Sequence, residues 1–165
     1  MASPAYLVDE WHDFFLANVG ASAALLGLLF VALSINLQRI LALDYLPRRA
    51  VETIVVFFEA LVVSALCLVP QTSKALGWEV LVTGVYGWLI PVTSQLRSRA
   101  ELKAQRLPFG RRVVMTQLAT LPVIVAGASL VAQAGGGLYW LVPGVLFLLL
   151  IGVADAWVLL VEILR

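Results

Sequence analysis

From Phe14 to Asn36 the chain reads FFLANVGASAALLGLLFVALSIN, without a single charged residue. A helix rises about 1.5 Å per residue, so this run alone crosses the roughly 30 Å hydrocarbon core of a bilayer. In lipid every backbone amide and carbonyl needs a partner inside the protein, which leaves helices and closed barrels. Barrel strands would read as alternating segments of about ten residues, and none occurs here. Four further apolar runs follow the first. The composition agrees: 62% of the 165 residues are hydrophobic and 13% charged, against roughly 45–50% and 25% in soluble domains. The sequence therefore predicts an all-α integral membrane protein, one transmembrane domain over residues 1–165. Its five spans lie near 14–38, 51–70, 76–96, 113–133 and 138–164.

Punctuation between the runs sets the boundaries. Ser3-Pro4 reads as an N-cap with a first-turn proline, followed by Tyr6, Trp11 and Phe14 at headgroup level. Asp9, Glu10 and Asp13 make this terminus acidic, where a cleavable signal peptide needs positive charge. Asp44 and a helix-stopping Pro47 mark the first loop, and Pro70 ends the second span. Gly84, Gly87 and Pro91 interrupt the third span, Pro122 kinks the fourth, and Gly135-Gly136-Gly137 forms a hairpin tip. Of the 11 Lys and Arg residues, all but Lys74 fall at one end. The positive-inside rule puts that end in the cytoplasm, with the N-terminus outside and the C-terminus cytoplasmic after five crossings. Net charge is only +1, so no basic field points to nucleic acid.

At 100° per residue the first span has two faces. Gly20, Ala24, Gly27 and Ser34 form a small face suited to close helix packing. Asn18, Ser22, Leu25, Leu29, Ala32 and Asn36 form a polar face, suited to a hydrogen-bonded seam or to a wet path. Two acids lie inside the membrane, where charge is costly and marks function. Glu59 is placed about 12 Å into the second span and Asp155 about 15 Å from the end of the fifth, both in the cytoplasmic half. They read either as a cation or proton site, or as structural carboxyls, protonated or bonded to Asn36, Gln117 or an arginine. Glu79, Thr83, Tyr86, Ile90, Thr93 and Arg97 make a polar stripe down the third span, again a water path or a seam.

The remaining signals are bland. His12 stands alone at the outer interface and forms only a weak metal set with Asp9 or Asp13. Cys67 lies in an apolar run as an inert thiol. Arg97, Arg99, Lys103, Arg106, Arg111 and Arg112 form a hydrophilic loop suited to anionic headgroups. Trp11, Trp78 and Trp140 read as interfacial anchors, and Trp88 and Trp157 as packed residues. No phosphate loop, zinc-protease helix, nucleophile elbow or dinucleotide fingerprint is present. Neither catalysis nor a cofactor is expected.

The run Trp11-His12-Asp13-Phe14-Phe15, continued from Gly20 through Leu37, resembles a group of small bacterial polytopic membrane proteins, some labelled "modulator of FtsH protease". Pro47-Arg48-Arg49-Ala50 and Leu76-Gly77-Trp78-Glu79 extend the likeness over the first half of the chain. The resemblance implies a multi-pass protein of the bacterial inner membrane. Five spans enclose little interior, so a homo-oligomer is expected, with the small face packed within or between protomers. Two functions compete. One is an oligomeric ion channel or small-solute transporter, with Asn18, Ser22, Asn36, Glu59, Thr83, Tyr86 and Asp155 along its path. The other is a non-enzymatic accessory subunit of a larger membrane complex such as a membrane protease.

Overall fold

The computed structural model describes residues 4–42, 46–102 and 109–164, with 97–102, 109–112 and 162–164 described by backbone only. All regular structure among them is helical. Two 3-10 turns, Pro4–Tyr6 and Val8–Trp11, lead into α1 (His12–Ile35), which a short α2 (Leu37–Leu41) follows. Next come α3 (Leu46–Cys67), α4 (Ser73–Leu102) and α5 (Phe109–Ala132), then a 3-10 turn at Gly137–Trp140 and α6 (Leu141–Leu164). Five of these helices are long and apolar enough to cross a membrane.

Several boundaries differ from the sequence reading, each for a local reason. Asn36 leaves helical geometry (φ −106°, ψ 14°), so the first span stops there and residues 37–41 form their own helix. Pro47 starts a helix instead of stopping one. It is the second residue of α3, where a missing N–H has no intrahelical acceptor to lose. The expected loop from Arg97 to Arg112 is largely helical: α4 runs through Leu102 and α5 begins at Phe109. Ser3, Asp44, Lys103 and Arg106 lie outside the described residues.

Helices α3, α4, α5 and α6 close a ring in which each packs on two neighbours, and α1 leans on α3 with one edge against α6. The α4–α5 hairpin is the tightest pair. Glycines make it so. A Cβ at Gly77 would lie 2.7 Å from the Val131 backbone nitrogen, and one at Gly127 would lie 2.5 Å from that of Leu81. Such small residues let backbones meet in lipid, where packing has to replace the hydrophobic effect.

The end remote from Arg39, Arg48 and Arg49 is sealed by the N-terminal turns. The Trp11 indole N–H donates to the Pro4 carbonyl (3.0 Å), the Ser73 hydroxyl to the Tyr6 carbonyl (2.9 Å), and Trp11 meets Tyr139 edge-on at 4.9 Å. Beneath them Val63, Cys67, Leu76, Val80, Leu130 and Leu138 form a dry core, with Tyr6 and Phe14 packed against it. The aromatics placed at headgroup level thus cap the bundle as well.

Candidate functional site

The site starts from α3, the most enclosed of the five long helices; α1 is the least. Glu52, Val56, Glu59 and Val63 recur at spacings of four and three, so they share one stripe, and all four are buried. With α1, α4 and α6 packed around α3, this stripe has no lipid to face. Glu59 is 3% exposed, and neither carboxyl oxygen has a hydrogen-bond partner. It fits because α4 carries Gly87 opposite: a Cβ built there would overlap the Glu59 carboxyl.

The bonds expected for Glu59 are not made. The Asn36 amide donates to the Ala32 carbonyl at 2.9 Å, and Gln117 accepts from the Trp88 indole at 2.9 Å. Among the described side chains no arginine donates to the carboxyl either. Its depth also changes. Because α3 begins at Leu46, Glu59 lies about 20 Å along it rather than 12 Å. Asp155 is not level with it. Gly152 packs on the Phe57 ring, so in these antiparallel helices Asp155 lies roughly 7 Å nearer the basic end. It is half-buried and has an interaction partner.

Glu52 was not singled out from the sequence. It lies seven residues before Glu59, is 7% exposed, and accepts from the Ser94 hydroxyl at 2.5 Å. Its position beside Arg48 and Arg49 disguised it as an interfacial charge; the heptad spacing to Glu59 was the available signal. A groove of about 380 Å³ opens between α3 and α4 at this level, lined by Arg48, Val51 and Glu52 on one side and Ile90, Thr93 and Ser94 on the other.

The other sequence candidates are dispersed. Asn18 and Ser22 are buried and Asn36 half-buried on the face of α1 turned to α3. Asn18 donates to its own helix, at Phe14 (2.7 Å), so this face makes no hydrogen-bonded seam in its described bonds. The small face of α1 points outward: Gly20, Ala24, Gly27 and Ser34 are exposed, and a Cβ at Gly20 or Gly27 would meet nothing within 4 Å. Among the described residues nothing packs closely on this face at Gly20 or Gly27.

The α4 stripe also faces away from the ring. Tyr86 is 64% exposed, and Glu79 and Thr93 are exposed. Thr83 and Thr93 donate to carbonyls of their own helix, both at 2.8 Å, which reduces the polarity they present. Trp157, read as packed, is 69% exposed.

Comparison with protein-family models, with curated proteins and with solved structures gives no match. The chemistry must come from the residues themselves. Among the described residues no group of three or more His, Cys, Asp and Glu side chains is placed to hold a metal ion. What the arrangement offers is a lone carboxyl at the centre of a helical bundle, one heptad from a second carboxyl beside a groove.

Proposed function

We propose that this chain is a transport protein of the bacterial inner membrane, moving protons or small cations as a homo-oligomer. One observation carries the reading: Glu59 is buried at the bundle centre with both oxygens unbonded. An ionised carboxylate without a partner in an apolar interior costs several kcal/mol. A structural role would be served better by an apolar residue of similar size. A group that must take up and release a positive charge has a reason to sit there. Purified protein in liposomes is expected to pass H⁺ or alkali cations, and Glu59→Gln to abolish the flux. Liposomes that hold correctly inserted protein and stay tight to H⁺, Na⁺, K⁺ and Cl⁻ would sink the proposal.

The distribution of basic residues supports an external N-terminus and a cytoplasmic C-terminus. The density of basic residues in the sequence from Arg97 to Arg112 suits contact with anionic headgroups on that side.

The exposed small face of α1 favours association, and it also supports the second reading, an accessory subunit docked on a larger membrane complex. Gly27→Leu separates packing inside the chain from packing outside it. With open space at that Cβ, monomer stability is expected to change by no more than about 0.5 kcal/mol. In the same variant, cross-linking should show loss of the homo-oligomer, or of one stoichiometric partner if the second reading holds. Unchanged association would assign this face to lipid.

A further inference from the structure

We propose that the α3–α4 seam is a proton path from the groove to Glu59, with Glu52 as its intermediate acceptor; the proposal rests on the transport reading above. The register carries it. Glu59 lies against Gly87, and Glu52 against Ser94. The partners step seven residues in opposite directions along antiparallel helices, so the carboxyls form two rungs about 10 Å apart. The lower rung opens into the groove of about 380 Å³. The upper rung is closed on the far side by the packed apolar side chains of Val63, Cys67 and Val80 and by the N-terminal turns above it. Access to Glu59 is therefore one-sided.

Between the rungs lies Pro91, buried within α4. Proline has no N–H, so the carbonyl four residues earlier loses its helical donor. That carbonyl belongs to Gly87, the residue the Glu59 carboxyl packs against, where a Cβ would overlap it. A hydronium ion in the groove protonates the Glu52 carboxylate and leaves as water. The proton passes through water in the seam to Glu59 and leaves that carboxyl neutral. Each step moves one proton: hydronium in the groove restores Glu52, and net transport requires the apolar layer above Glu59 to open and release its proton on the other side.

One carboxylate and one carbonyl are too few oxygens for a hard metal cation, which takes about six or more. The ligand is the proton. Besides the two glutamates, the charged and titratable groups on the surrounding elements are Arg48, Arg49 and Cys67 on α3, Asp155 and Glu162 on α6, Lys74, Glu79, Tyr86, Arg97, Arg99 and Glu101 on α4, and His12 and Asp13 at the start of α1. The buried face of α1 contributes only the neutral Asn18 and Ser22.

The test uses full-length protein in liposomes and two probes of Glu59, a water-soluble carbodiimide added at the basic end and lipid-soluble dicyclohexylcarbodiimide, with adducts located by mass spectrometry. Ile90→Trp fills the groove wall. It is expected to slow modification by the water-soluble reagent about tenfold and to leave the lipid-soluble reaction unchanged, which also certifies the fold. Glu52→Gln is expected to lower proton flux about tenfold or more, with Glu52→Asp recovering most of it. Equal labelling in Ile90→Trp, wild-type flux in Glu52→Gln, or no labelling of Glu59 by either reagent overturns the path. Loss of flux in Glu59→Gln alone leaves transport standing and removes the path. Groove-dependent labelling in a protein without flux does the reverse: the access route holds and the transport reading falls.

Discussion

Glu59→Met is expected to make the purified protein more stable while it abolishes flux. The wild-type carboxyl is desolvated and has no hydrogen bond, and replacing such a group with an apolar one of similar size gains about 1–3 kcal/mol. Methionine is unbranched and can follow the carboxyl's course past Gly87. The measurement is a thermal denaturation series in one detergent, compared with Glu59→Gln, which keeps a polar head in the same place and should gain less. Destabilisation of similar size in both variants would mean that the carboxyl is held by a structural bond, and the functional reading would lose its basis. A gain in stability at the expense of activity is the usual signature of a residue kept for function.

The second large effect concerns the frame that holds the site. Gly127→Leu is expected to destabilise the protein by about 3 kcal/mol or more and to reduce the yield of folded material. The new side chain would start 2.5 Å from the Leu81 nitrogen and 2.6 Å from its Cα. Backbone atoms cannot rotate aside, so α4 and α5 must part. Because α4 also carries Gly87 and Ser94, their separation should disturb both carboxyl rungs. The comparison with Gly27→Leu is the informative one: the same substitution in a glycine with open space should be nearly silent for the monomer. Equal destabilisation by the two would contradict the packing described for α1 and α5.

Much of the site was legible from charge alone. An acid in a run such as IVVFFEALVV stands out because every other residue from Ile54 to Val63 is apolar, and Glu59 was found that way. Glu52 escaped because acids near a run of arginines are ordinary at a membrane surface; only burial and the bond to Ser94 distinguish it. Pro91 read as an interruption of the third span. Its effect on the Gly87 carbonyl emerges only when α3 brings Glu59 to that turn.

The helix ends show a similar limit. Pro47 carries both a stop and a start signal, and which one operates depends on whether Leu46 has a core to enter. It does, alongside Leu29, Leu33 and Ile40.

The number of spans, the all-helical class and the segregation of charge could be read from the residues alone, because each follows from hydrocarbon thickness and the cost of burying ions. The sequence could not say which helix is central. The charge-free first span offers the most conspicuous small-residue face, yet it lies at the edge, and the acid-bearing α3 is enclosed. Gly20 and Gly27 in α1 have the same seven-residue spacing as Gly77 and Gly84 in α4. The first pair meets open space, and the second meets α5 within 3.1 Å. Only the tertiary structure separates them. In water a helix buries its apolar side, and the pattern betrays its orientation; among lipid tails as apolar as leucine, inside and outside look alike until the helices are packed.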